Sequence, residues 1–167
     1  LLATGRKPNT ESLNLQAAGI QTTNRGAIEV DSKLRTNIPN IWAIGDVHGG
    51  LQFTYLSLDD YRIIREELFG NGFRSLDDRE AVAYSVFIDP PLAHVGLNET
   101  QARKMEKNIK VASLPAAAMP RTRTIEQTDG LLKAVVDADT GKILGCTLFC
   151  AESSVVINTV SLAMRLG

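Results

Sequence analysis

The chain has 167 residues, 44% of them hydrophobic, and its 18 Lys and Arg nearly balance 19 Asp and Glu for a net charge of −1. That length can bury something like two-thirds of the unfolded surface, in one domain or two small ones, and the composition argues against disorder, an acidic tail or a nucleic-acid-binding surface. No apolar run approaches the roughly 18 residues of a membrane helix, so neither nucleic acid nor membrane is an expected partner, and the expected location is cytoplasmic.

In chain order, Leu1-Leu2-Ala3-Thr4 reads as an apolar strand that ends in a turn at Gly5 and continues through Arg6-Lys7-Pro8-Asn9. Asn24-Arg25-Gly26 reads as a hairpin turn leading into an alternating strand, Ala27 to Asp31. Thr36 to Asn40 then leads into Ile41-Trp42-Ala43-Ile44-Gly45-Asp46-Val47, an apolar run that stops abruptly at Gly-Asp. A buried parallel strand with this pattern delivers one carboxylate to its carboxyl end, where open α/β sheets bind ligands. Asp46 offers acceptor oxygens suited to sugar hydroxyls, and Gly45 permits close approach to the backbone. The same dipeptide is also ordinary turn chemistry.

A helix is predicted from about Phe53 to Leu68, with an apolar stripe of Leu56, Ile63, Ile64 and Leu68, stopped by Gly70-Asn71-Gly72. Residues 73–83 are polar and read as a connector, which divides the chain into parts 1–72 and 84–167. The second part reads as α+β. Strands are expected over Tyr84 to Ile88, Ala93 to Leu97 and Ile109 to Leu114. A helix with an Asn98 to Gln101 capping box should run to about Lys107. A hairpin joins Leu131 to Val136 with Lys142 to Phe149, and a last helix starts at Ser153 or Ser154.

Two of these motifs together resemble the class I pyridine nucleotide–disulfide oxidoreductases, the family of dihydrolipoamide dehydrogenase, glutathione reductase and mercuric reductase. Ala3 to Asn9 looks like the family's Ala-Thr-Gly-Arg-x-Pro-Asn turn. Thr36, Ile41, Ala43, Gly45 and Asp46 look like its second flavin motif. Tyr84 to Leu97, Asp129 to Asp137 and Ile143-Leu144-Gly145 look like its interface domain. The stretch from Gly49 to Tyr55, with Asp59-Asp60-Tyr61-Arg62, departs from the usual Leu-Thr-Pro-Val pattern and is most similar to a bacterial subgroup that includes the reactive-chlorine-resistance flavoprotein, a metal-reducing member.

The resemblance implies an α+β fold: the C-terminal part of an FAD-binding domain, then a dimerisation domain with a mainly antiparallel sheet flanked by helices. It implies FAD as cofactor and NAD(P)H as co-substrate, with electrons passing to a small-molecule disulfide or a metal ion, and a homodimer as the working assembly. By resemblance Asp46 bonds the ribityl chain of FAD. Gly5 and Gly45 belong to the flavin-facing turns, and Gln52, Phe53 and Thr54 present helix N-terminal amides to the flavin's pyrimidine edge. Neither a GxGxxG fingerprint nor the family's Cys-x4-Cys pair occurs, and the resemblance stops short of its acid–base His. The expectation is therefore a C-terminal fragment that holds no catalytic residue and is inactive alone. Two alternatives stand beside this reading: a non-catalytic oligomerisation module with a vestigial Gly-Asp motif, and a relative of the NADH oxidases and CoA-disulfide reductases.

Cys146 and Cys150 share one predicted strand, which sets their Cα atoms roughly 13 Å apart at about 3.3 Å per residue. A disulfide needs less than about 7 Å, so they are expected to be small core or interface residues. His48 follows Asp46 in a Gly-rich turn, where it approaches a ligand or lies in solvent. His94 is expected at an interface or surface, and Arg121 and Arg123 in a small basic loop. No metal site follows from two His and two distant Cys.

Overall fold

A computed structural model describes residues 2–167, and Leu1, the first residue of the predicted opening strand, lies outside the described residues. The chain forms two compact units, the first ending at Arg79 and the second spanning Glu80–Gly167.

The first unit is mostly turns around one long helix. The predicted opening strand is absent among its described residues: Leu2 is 92% exposed and pairs with nothing. The turn at Asn24-Arg25-Gly26 forms, closed by Gly26 N–H donating to Thr23 O (2.8 Å), but it carries a single antiparallel bridge, Thr22 with Ile28. The run before Gly45 is not a parallel strand. It lies antiparallel to the segment just before it, through one bridge between Arg35 and Trp42, with Thr36 N–H donating to Ile41 O (2.9 Å) and Ala43 N–H to Leu34 O (3.1 Å). Apolar runs become strands only when a neighbouring strand offers a ladder, and no such neighbour occurs among the described residues of this unit. Helix α1, Thr54–Phe69, forms where the periodicity predicts it. Leu56, Asp60 and Ile63 are its buried residues, and Gly70 N–H closes the last turn on Glu66 O (3.0 Å). A short 3-10 turn, Leu76–Asp78, interrupts the predicted connector behind a Ser75–Asp78 capping box.

The second unit is an α+β fold with one five-stranded antiparallel sheet in the order β1-β2-β5-β4-β3. The strands are β1 (Tyr84–Val86), β2 (Leu92–Gly96), β3 (Ile109–Pro115), β4 (Leu131–Asp137) and β5 (Ile143–Phe149). Helix α2 (Glu99–Lys104) follows the predicted capping box: Gln101 N–H donates to Asn98 Oδ1, and Asn98 N–H to Gln101 Oε1, both at 2.9 Å. That reciprocal pair satisfies two N–H groups a helix start otherwise leaves open. Between β3 and β4 the expected basic loop is instead a 3-10 turn (Ala116–Ala118) and a short helix α3 (Pro120–Thr124), with Pro at its first position. Pro is preorganised there because its missing N–H is not needed. Arg121 pairs with Glu152 at 3.0 Å rather than standing free.

Helix α4 (Ser153–Leu166) covers one face of this sheet. Ala93, Val95, Cys146, Leu148, Cys150 and Ile157 form the core between them. Ser153 anchors the helix start, its hydroxyl donating to Pro91 O at 2.6 Å, and Ser161 donates to Ala81 O at 2.7 Å. Cys146 and Cys150 are free, buried core residues, and burial pushes both thiols up from their ordinary value. His94 is buried as well, against its expected placement at an interface or surface. Nδ1 meets Thr147 Oγ1 (2.8 Å) and Nε2 donates to Gly96 O (2.9 Å), so both polar edges of the ring are satisfied inside the sheet.

Candidate functional site

The Gly45-Asp46 segment is a turn of 3-10 helix, Gly45–His48, rather than the end of a strand. Gly45 sits at φ +70°, a left-handed backbone that glycine adopts without cost and other residues do not. A Cβ there would also lie 3.1 Å from Ser57 Oγ on α1.

Three backbone bonds hold the turn. Gly45 N–H donates to Asp60 Oδ2 (2.6 Å), Gly49 N–H to Asp46 O (3.2 Å), and Ile28 N–H to Val47 O (2.9 Å). The first is the unexpected one. Asp60 is 1% exposed, and its carboxylate is completed by His48 Nε2 at 3.0 Å and by the Arg79 guanidinium. Arg79 also donates to Asp59 Oδ2 at 2.9 Å, and Arg74 to Asp59 Oδ1 at 2.5 Å. Burial alone lowers Arg79's affinity for its proton. The hydrogen bonds and charges of Asp60 and Asp59 outweigh that, so its pKa is raised and it stays cationic. A buried carboxylate is tolerated only with such partners. His48 is therefore a structural partner of Asp60, not the solvated loop residue its sequence context allows.

The predicted site residues fall as follows. Asp46 stands on the pinned turn with its side chain about half exposed (52%), and Arg6 Nη1 approaches it at 3.8 Å. An exposed pair of that kind contributes about 0–1 kcal/mol and gives way to a ligand. Gln52 and Phe53 are half-buried and Thr54 is exposed. Phe53 is the N-cap of α1 and makes no side-chain cap hydrogen bond, and the positive dipole end of this 16-residue helix lies here. The Phe53 N–H itself donates to Leu51 O at 3.2 Å, and its ring stacks on Tyr55 at 5.6 Å between centroids. Gly5 lies in an exposed segment without regular secondary structure, where an added Cβ would meet nothing within 4 Å. A cavity of about 450 Å³ opens beside the turn, lined by Arg6, Arg25, His48, Gly49 and Gln52 among others. Gln52 is the one predicted site residue on that lining.

Asp60 is the residue that reading the sequence missed. In Asp59-Asp60-Tyr61-Arg62 it looks like part of a solvated face, but it falls four residues after Leu56 and three before Ile63, on the buried stripe of α1. An acidic residue on an apolar stripe is the signal that marks it.

Residues 82–167 match the pyridine nucleotide-disulphide oxidoreductase dimerisation domain, and residues 1–60 match the pyridine nucleotide-disulphide oxidoreductase domain. This chain belongs to the pyridine nucleotide-disulphide oxidoreductase family. It is 54% identical over 167 residues to the probable pyridine nucleotide-disulfide oxidoreductase RclA of Escherichia coli, covering 100% of this chain and 38% of that protein. It is 38% identical to a mercuric reductase of Staphylococcus aureus, of which it covers 30%. Among solved structures, the HOCl-induced flavoprotein disulfide reductase RclA from Escherichia coli superposes with a TM-score of 0.89 over 99% of this chain and 38% of that one. A Cu(II) complex of the same reductase gives a TM-score of 0.89, over 98% of this chain and 37% of that one. The chain thus spans well under half the length of the curated relatives it matches. Among the described residues no helix is long and apolar enough to cross a membrane, and no group of three His, Cys, Asp or Glu is placed to hold a metal ion.

Proposed function

We propose that this chain is part of an FAD-dependent oxidoreductase that moves electrons from NAD(P)H through the flavin to a disulfide or metal-ion substrate, and that it contributes flavin contacts and a homodimer interface. One observation carries the reading: a half-exposed carboxylate, Asp46, on a turn bonded to α1, in the same unit as the N-terminus of that 16-residue helix. Acceptor oxygens for hydroxyls and N–H groups for negative charge are the donor set a flavin's ribityl chain and pyrimidine edge require. The residues fit the group.

When bound, the flavin supplies the electron relay between nicotinamide and acceptor. Asp46 would accept hydrogen bonds from the ribityl hydroxyls, and a carboxylate suits hydroxyls and repels phosphate. Gly45, lacking a Cβ, keeps the approach open, and Gly5 does the same in the preceding loop. The amides of Gln52 and Thr54 would hold the flavin's pyrimidine edge, where the dipole of α1 would favour negative charge. Phe53 shapes the helix start through its stack on Tyr55.

The electron acceptor is taken from the relatives, a flavoprotein disulfide reductase and a mercuric reductase. The homodimer follows from the dimerisation-domain match and from α4, whose outward side exposes Val155 (70%), Leu162 (57%) and Leu166 (80%). The test is the visible spectrum of the whole purified protein. Bound flavin that bleaches on adding NADH or NADPH supports the reading, whereas a colourless protein that takes up no added FAD overturns it.

A further inference from the structure

The carboxylate of Asp60 is the most completely buried charge in the first unit, and nothing in the proposed chemistry uses it directly. Its partners nonetheless span that unit. Oδ2 takes the Gly45 N–H at 2.6 Å and His48 Nε2 at 3.0 Å, while Oδ1 takes the Arg79 guanidinium. Arg79 also reaches Asp59 at 2.9 Å, one residue away on α1. One side chain of α1 therefore grips both ends of the Gly45–His48 turn, its first N–H and its last side chain.

The grip matters because the turn's other bonds, Gly49 N–H to Asp46 O and Ile28 N–H to Val47 O, do not tie it to α1. Its N-cap, Ile44, supplies no side-chain bond, and two of its four residues flank a glycine with left-handed backbone. Asp46 lies one residue beyond the gripped N–H and leans on no stronger partner than the exposed Arg6 at 3.8 Å. The direction in which Asp46 presents its carboxylate is thus set through its backbone, and that backbone is tied to the helix whose first turn forms the other half of the site.

We propose that Asp60 is a positioning residue for the flavin: its buried carboxylate locks the Gly45-Asp46 turn to α1, so that the hydroxyl-binding carboxylate and the helix N-terminus are held as one piece. This rests on the reading of the Gly45-Asp46 turn as a flavin contact. Arg79 is the charge partner that lets the lock be ionic inside the fold, His48 adds a hydrogen-bond contact to the same carboxylate, and Asp59 shares Arg79 without touching the turn.

That sharing supplies the control. Asp60→Asn removes the charge that holds Arg79 and weakens the acceptor for Gly45 and His48, whereas Asp59→Asn perturbs Arg79 and Arg74 and touches nothing in the turn. In the whole protein, the FAD dissociation constant of Asp60→Asn should rise at least tenfold, with a shift in the bound flavin's visible spectrum. Asp59→Asn should leave both within twofold of wild type even if it lowers the melting temperature comparably. Equal flavin affinity and an unchanged spectrum in the two variants overturn the proposal. If Asp60→Asn does not accumulate, Asp60→Glu keeps the charge for Arg79 while displacing the acceptor from Gly45; a fivefold or greater weakening supports the lock, and none overturns it. A wild-type protein that binds no flavin is a separate outcome: it removes the functional reading, and the lock with it, before any variant is made.

Discussion

Replacing Gly45 by Ala tests whether the turn is held as described. The residue sits at φ +70°, and a left-handed backbone costs an L-residue with a Cβ roughly 1–2 kcal/mol. The new methyl group would meet Ser57 Oγ at 3.1 Å and Ser57 Cβ at 3.6 Å, close enough that the Ser57 side chain must give way slightly. Against these, Ala narrows the unfolded ensemble by about 0.4–1 kcal/mol. The sum is a net loss of about 0.5–1.5 kcal/mol, or roughly 1–6 °C in melting temperature for a chain of this size. Trp42 is the single tryptophan and lies three residues upstream, so urea unfolding followed by its fluorescence reports on this unit. Gly45→Asn separates the two causes. Asn tolerates the left-handed region better than Ala but carries the same Cβ, so it should lose distinctly less if backbone conformation dominates. No loss with Ala, or an equal loss with both, would refute the reasoning.

Gly130→Ala should be far more damaging, by about 3 kcal/mol or more and readable as a collapse of expression or melting temperature, because its φ is +117° and the added Cβ would sit 1.8 Å from the immovable carbonyl of Phe149. Cys146 and Cys150 should resist iodoacetamide in the native chain and react on denaturation, since both are buried and burial raises their thiol pKa values; rapid native labelling would contradict the packed sheet. Asp137 accepts hydrogen bonds from Thr140 and Asp139 in the β4–β5 turn, which hold its pKa below the ordinary value. Its charge therefore stabilises the fold above the ordinary carboxylate pKa of about 3.9 and ceases to do so as pH falls through the lowered folded value. The melting-temperature gap between wild type and Asp137→Asn should accordingly be constant at neutral pH and close in acid, and a gap that persists there would exclude the charge as its source.

The second unit was more legible than the first, for reasons that lie in particular residues. The Asn98–Gln101 capping box and the hairpin of Leu131 to Val136 with Lys142 to Phe149 are local signals, and each formed where it was read. Ile41 to Val47 looked like a parallel strand because apolar runs of that length are common in buried sheets. Strand pairing is decided by neighbours, and here the available neighbour was the antiparallel segment Leu34–Thr36. Arg121 and Arg123 were read as loop because a single turn of helix behind Pro120 leaves almost no periodicity. His94 escaped notice as a core residue because its two partners, Thr147 and Gly96, only meet it once the sheet is assembled. The Gly45-Asp46 motif was visible at once, but its support was not. Asp60 comes from fifteen residues downstream, and Arg79 from nineteen beyond that.

The most direct measurement of the central claim is the FAD dissociation constant of the whole protein carrying Asp46→Ala. A hydrogen bond to a charged group contributes about 1.5–3 kcal/mol, which corresponds to an affinity loss of about 10- to 150-fold. The Gly45 turn should be otherwise intact, because Asp60, Gly49 and Ile28 bond its backbone rather than the Asp46 side chain. Weakened flavin binding in that range, with a melting temperature of the flavin-free form close to wild type, is the expected result. Unchanged affinity would contradict the assignment of Asp46 to the flavin.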